Sequence, residues 1–382
     1  MLYLDHAATT PVRPEVLEAM MPYLTDRFGN PSSHHTVGEA AAGALADARR
    51  RVAHVLGMRP GDIVFTSGGT EANNLAIKGL SLGAALHRRL GRSAQIVTTP
   101  IEHESVLASC AYLERVHGFT VTRVPVSPEG RVDAETLRAA VGPDTVLVSV
   151  GYANNEVGTV QDTAALSSVC ADAGVPLHLD AVQAAGWLPL SGTGADALSI
   201  AGHKIGAPQG IGVLAVRGRL PLEPVLHGGG QERDRRSGTE NLAGAVGFAV
   251  ALERAGRERV QRSERTAALR DAFIARVLTS VPEARLTGDR EHRLPGTASF
   301  TFAGVSGEAV LLELERRGVV SSSGSACAAG SDEPSHVLLA LGIPAEVART
   351  AVRFTFGPSI DLDPQPVADA VAAAVGAVRS TG

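Results

Sequence analysis

The chain has 382 residues, 44% apolar and 20% charged, with a formal net charge of −5. Such a composition excludes a disordered chain, and the length buries a sizeable core without disulfide or metal staples. A negative balance with no long basic run gives no reason to expect direct nucleic-acid binding. In chain order, Asp5 and His6 fall where a secretory signal would need an apolar run, so a cytoplasmic location is expected. Ile63–Thr66, Gln95–Thr98, Val121–Pro125, Thr145–Val150, Leu177–Asp180, Ala197–Ile200 and Gly212–Val216 read as short buried strands. Helical spacing fills the intervals, as in Glu104–Val116 and Thr163–Ala173. The alternation predicts an α/β fold with a mostly parallel sheet covered on both faces, its ligands beyond the carboxyl ends of the strands. The alanine-rich stretch 243–251 is well short of the roughly 20 apolar residues of a membrane span. After about residue 256 the pattern changes. Glu253–Leu278 reads as one long charged helix, followed by strand-like Thr297–Phe302, helix-like Gly307–Arg317 and strand-like Val352–Phe356. These make a second, smaller α/β unit with a cleft between the two.

Residue counts narrow the chemistry. The three cysteines, Cys110, Cys170 and Cys327, lie at unrelated spacings, against a disulfide framework and against a zinc site; no metal is expected. Of 35 basic residues only Lys78 and Lys204 are lysines. Lys78 reads as a solvated residue in a polar helix end, whereas Lys204 follows a buried strand among Gly, Ala, Ile and Pro. Asp180 closes another such strand. A carboxylate and a lysine at neighbouring strand ends suit pyridoxal phosphate, where the lysine bonds the aldehyde and the carboxylate keeps the ring nitrogen protonated. A surface lysine and an ordinary strand-end aspartate remain the plainer alternative. In SGGTEANN, the Gly68–Gly69 turn before a helix suits a phosphate, or else is a tight turn capped by Thr70.

Other residues admit two readings each. His103 is a catalytic or a solvated histidine, and Asn155 is a ligand or a turn residue. Arg353, the sole charge in AVRFTFG, is a carboxylate clamp or a snorkelling edge residue, and its apolar surroundings favour the clamp. The Gly228–Arg236 run is a phosphate arm or a loose basic loop. Cys110 and Cys170 sit in helical patterns as small core residues. Cys327, in SSSGSACAAGSDEP with no hydrophobic period, reads as an exposed reactive thiol.

Taken in order, YLDHAATTPV, FGNPSS, FTSGGTEANNLAIKG, EHESVL, NNEVGTVQD, HLDAVQ, GHK, HGGGQERDRRSGTEN, SSGSAC, EPSHVLLALG and VRFTFG resemble the NifS-like (group I) cysteine desulfurases, in the class V aminotransferase group of pyridoxal phosphate enzymes. The resemblance implies fold type I, with a large domain over 16–256 and a small one formed by 1–15 with 257–382. It implies that Gly69, Thr70, His203 and the partner subunit's Thr239 hold the cofactor phosphate. Asp180 would meet the ring nitrogen, Gln183 the ring hydroxyl, and Lys204 the aldehyde carbon, with His103 stacked on the ring and shuttling a proton. Asn155 and Arg353 would bind the substrate carboxylate and Cys327 would take the sulfur. The implied activity converts L-cysteine to L-alanine in a homodimer and passes the sulfur to an acceptor protein. A selenocysteine lyase, an aminotransferase of the same fold and a non-catalytic partner-binding scaffold are the alternatives.

Three departures bear on these expectations. Ala201 stands where relatives commonly have serine, so one phosphate hydroxyl is missing or comes from Ser199. Gly206-Ala207-Pro208-Gln209 replaces the usual Tyr-Gly-Pro-Lys. The terminal VADAVAAAVGAVRSTG lacks the extension that engages an iron–sulfur scaffold, which tilts the expected acceptor from iron–sulfur assembly or tRNA thiolation towards DNA phosphorothioation.

Overall fold

Residues buried on both faces build the larger sheet. After β1 (Leu2–Tyr3) it takes β2 (Ile63–Thr66), β3 (Gln95–Thr98), β4 (Thr120–Arg123), β5 (Thr145–Gly151), β6 (Leu177–Asp180), β7 (Ala197–Ala201) and β8 (Gly212–Val216). Their order is β2-β8-β7-β6-β5-β3-β4, with β8 antiparallel to both neighbours and the rest parallel. The structure is a computed structural model and describes residues 1–90, 93–323, 333–358 and 361–381. One face of the sheet packs on the helices Thr36–Leu56, Thr163–Ala173 and the start of Leu242–Ser280; the other packs on Gly69–Arg88 and Glu104–Tyr112. Such two-sided cover is why β5 to β8 read as continuous apolar runs.

A second core forms around β9 (Ala284–Leu286), β10 (Thr297–Phe302), β11 (Val319–Val320) and β12 (Ala351–Thr355). The antiparallel order is β12-β10-β9, while β11 pairs with β1. One helix of 39 residues, Leu242–Ser280, joins the two cores. At 1.5 Å per residue it is roughly 58 Å long. Leu242–Ala255 serve the first core; Phe273, Ile274 and Val277 serve the second.

The predicted strands and helices are observed, with shifts of one or two residues at several ends. The long helix starts eleven residues earlier than the charged pattern indicated, because its first turns are buried small residues that carry no polar stripe. The helix from Glu104 changes at Leu113–His117 to a π-helical turn. Among the described residues no helix is long and apolar enough to cross a membrane.

Phe273 meets Phe300, Phe354 and Phe356 at ring separations of 6.0, 5.1 and 5.3 Å. It therefore braces the strand that carries Arg353. Phe273→Ala should cost roughly 3–5 kcal/mol in urea unfolding; a loss below about 1 kcal/mol would mean that this aromatic cluster repacks freely.

Candidate active site

The carboxyl ends of β5, β6 and β7 open into a cavity of about 380 Å³. It is lined by Gly69, Thr70, His103, Asn155, Asp180, Gln183, His203, Lys204 and Arg353. Residues separated by up to 284 positions thus share one space, and β-strand ends are what bring them there.

Asp180 ends β6, and its Oδ1 accepts from Val182 N at 3.0 Å while Oδ2 accepts from Asn73 Nδ2 at 2.7 Å. The two donors fix the carboxylate plane at the cavity floor. Lys204 follows β7 in a one-turn 3-10 helix, and its Nζ donates to the carbonyls of Ala7 and, at 2.7 Å, Ala8. Gln183 Nε2 also donates to Ala7 O, at 3.1 Å. His203 Nδ1 lies 3.2 Å from Thr9 Oγ1, and burial together with the Lys204 charge pulls its pKa down to about 4. His203 is therefore neutral at physiological pH.

His103 caps the helix Glu104–Tyr112 by accepting at Nδ1 from Ser105 N at 3.1 Å. An accepting Nδ1 leaves the neutral ring's proton on Nε2. The solvated-histidine reading is replaced by an ordered ring at the cavity wall. Gly69, not Thr70, opens the next helix, after Gly68 as its cap. A Cβ on Gly69 would stand 2.7 Å from Val182 Cγ2 and 3.3 Å from Ala201 Cβ, so only glycine fits that close approach. Ala201 lines the cavity. Ser199 does not replace the lost hydroxyl. It points below the floor, fully buried, with its Oγ 2.9 Å from His178 Nε2.

Arg353 is 1% exposed on β12. Its Nη2 pairs with Asp5 Oδ1 at 2.8 Å, its Nη1 donates to Asn155 O at 2.8 Å, and its buried Nε has no partner among the described residues. It is neither a snorkelling edge residue nor a freely available clamp, since Asp5 takes one side of its fork. Thr239 is exposed and is not among the residues lining this cavity.

The arm before Thr239 is no loose loop. Glu232, Arg233 and Asp234 form three consecutive left-handed residues, with φ of 51°, 60° and 62°. Such strain persists only where surroundings impose it. Here Glu232 accepts a bidentate pair from Arg49 at 2.6 and 2.7 Å and a third bond from Phe65 N. Lys78 also departs from expectation. It lies half-buried in a π-helical turn, bonded to Asn74 Oδ1 and 4.5 Å above the Tyr112 ring, and outside the cavity. Cys327 lies outside the described residues.

Three site residues escaped the sequence reading: Asn73, which orients Asp180; Asp5, which pairs with Arg353; and Glu102. Glu102 lines the cavity fully buried, accepting from Thr99 Oγ1 at 2.6 Å, and burial raises its carboxyl to about 8. Only its place in the string EHES hinted at it.

The donor set fits pyridoxal phosphate. An amine and a fixed carboxylate share the cavity, a ring faces it, and a glycine-cradled helix start stands at one end. Fold and cavity define a class-V aminotransferase, and the family described as Aminotransferase class-V matches residues 2–362. That family works with pyridoxal phosphate. The chain is 44% identical to cysteine desulfurase IscS of Dictyoglomus turgidum, over 93% of this chain and 89% of that one. A solved NifS-like protein superimposes with a TM-score of 0.89 at 34% identity, covering both chains completely. A structure described as SspA in complex with cysteine gives 0.80 at 36% identity, over 94% of this chain and 99% of the other. The chain belongs to the IscS/NifS-like cysteine desulfurases of that class.

Glu102 yields a pH test. Unfolded, it loses its proton near 4.5; folded, near 8. Between those values the native state binds the extra proton, so this group's contribution falls as pH rises, at up to about 1.4 kcal/mol per unit. Urea melts of Glu102→Gln should lack that slope between about pH 6 and 8. Equal slopes in both proteins would mean that Glu102 is already ionised when folded.

Proposed function

We propose that this chain, a pyridoxal phosphate-dependent cysteine desulfurase, delivers the sulfur of L-cysteine to Cys327 and releases L-alanine. The observation that carries the reading is how the segment holding Cys327 is anchored. Ser322 exchanges two backbone hydrogen bonds with Arg353, at 3.1 and 2.7 Å. Ser335 Oγ donates to Glu156, the residue after Asn155. Residues 324–332 run between those anchors, both of them at the cavity's substrate side. The other thiols are poorly suited: Cys110 and Cys170 are buried, and burial pushes both up to about 12. Neither supplies a thiolate near neutral pH.

Gly69, Thr70 and His203 would hold the phosphate, joined by Thr239 of the partner subunit. Asp180 would keep the ring nitrogen protonated, Gln183 would meet the ring hydroxyl, and His103 would lie against the ring. When bound, the cofactor supplies an aldehyde for the substrate amine and an electron-accepting ring beside its Cα. Arg353 and Asn155 orient the substrate carboxylate. Lys204 would hold the aldehyde through Nζ in the resting enzyme, and its Nζ would take the Cα proton of the substrate. His103, with its proton on Nε2, serves proton transfer at the substrate. The Cys327 thiolate then bonds to the substrate sulfur, the Cβ–S bond breaks with its electron pair left on the carbon skeleton, and protonation yields alanine. An acceptor protein takes the sulfur from the Cys327 persulfide.

The two apolar cores and their shared helix support the division into 16–256 and 1–15 with 257–382. Exposed Leu17, Met21, Leu24 and Phe28 support a homodimer.

Cys327→Ser should still change the visible spectrum on adding cysteine, while alanine formation falls to background. Mass spectrometry of the wild type after one turnover without reductant should find an extra sulfur on Cys327. Finding it on Cys110 or Cys170 instead would overturn the reading. Lys204→Ala should lose the covalently held cofactor; borohydride fixing the cofactor on Lys78 would refute that role.

A further inference from the structure

A second cavity, of about 450 Å³, shares Ala7, Val182, Gln183 and Lys204 with the first. Its size is that of small-molecule sites, which run from about 300 to 1,000 Å³. Its far side is closed by Arg13, Trp187 and Arg262.

Arg262 is 92% buried, being 8% exposed. Its Nη2 donates to Gly186 O at 2.6 Å, and its guanidinium lies 4.6 Å over the Trp187 ring. Among the described residues its buried Nε has no partner, nor has Nδ1 of His6, another lining residue. Buried polar groups of this kind are ordinarily satisfied. Burial and the nearby Arg13 charge pull Arg262 down to about 10, which still leaves it cationic at neutral pH. The carboxylates close by are engaged elsewhere: Glu258 pairs with Arg13 at 2.7 Å, and Glu15 lies 3.5 Å from Arg13 and 3.4 Å from Arg254. The lining also includes the apolar residues Pro11, Val12, Leu294 and Phe356.

The geometry points to a binding site for a small aliphatic carboxylate, its anion on Arg262 and its hydrocarbon against Pro11, Val12 and Phe356. This site is separate from the cysteine site, whose carboxylate holder is Arg353. Lys204 lines both cavities.

Trp187 is the chain's single tryptophan, so 5-fluorotryptophan labelling gives one 19F resonance per subunit, at the proposed site. Holoenzyme titrated with butyrate should show a saturable shift of that line, and n-butylamine, of like size and opposite charge, should not. Arg262→Gln should weaken butyrate at least about tenfold, the loss of one charge-assisted contact. Arg353→Gln should leave the butyrate response unchanged. No saturable shift, an equal response to butylamine, or loss in Arg353→Gln with survival in Arg262→Gln would overturn the site. If Arg262→Gln does not fold, Val12→Phe decides, because Val12 is exposed at the rim and its enlargement narrows the cavity. Unchanged butyrate affinity in that variant would equally overturn it.

Discussion

The ion pair between Asp5 and Arg353 is the contact on which the cavity closes. It joins residues 348 positions apart and ties the N-terminal strap to the small sheet. The same strap carries the carbonyls of Ala7 and Ala8 that hold Lys204 and Gln183, and Thr9 and Thr10 that bond His203. Burying such a pair costs desolvation that its attraction only partly repays, unless further hydrogen bonds complete it. Asn155 O supplies one of these, but Nε is left unmet. A stability-driven design would not keep that incomplete cation. A cation held rigidly, with unmet hydrogen-bonding capacity at a cavity wall, is what recognising a carboxylate requires.

A second constraint concerns charge at the floor. Two buried ionisable groups, His178 and Glu102, lie close to Asp180. His178, locked between Ser149 and Ser199 at 2.9 Å on each side, is held neutral down to about 4. Glu102 keeps its proton up to about 8, and ionising it would repel Asp180. Both neighbours are therefore uncharged across the physiological range, beside a carboxyl group oriented by Asn73 and Val182. The hydroxyl of Ser199 belongs to this arrangement. Its commitment to His178 explains why it does not compensate for Ala201.

The strands and their ends were legible because buried parallel strands write themselves as short apolar runs, and Asp180 and Lys204 interrupt that pattern at the carboxyl ends. Partnerships were not legible. Asn73 meets Asp180 across 107 residues, and Ser335 meets Glu156 across 179, with no local spacing to mark either. Lys78 was misjudged for a related reason. It reads as solvated because lysines usually are, but the helix carries it against Tyr112, so tertiary packing sets its burial. For the basic run at Arg233–Arg236, sequence alone left open whether it was an arm or a loose loop, for the same reason. Arg233 and Arg235 donate to carbonyls of Ile63 and Gly61, and Arg236 pairs with Glu71 at 2.9 Å.

Those arginine contacts link the arm to the floor in an economical way. Glu71 lies one residue beyond Thr70 on the helix that begins at Gly69, so Arg236 ties the arm to the Gly69–Thr70 end of the cavity. Glu232, through Arg49 and Phe65 N, ties the same arm to β2, the strand that feeds that helix. The strained left-handed turn between these two anchors sets the direction in which Ser237–Thr239 leave the subunit. Thr239 then stands exposed, away from its own cavity, on an arm whose course is fixed by four arginines. An arm braced so heavily holds its exposed hydroxyl in one place, where a flexible one would lose any contact it made to conformational entropy.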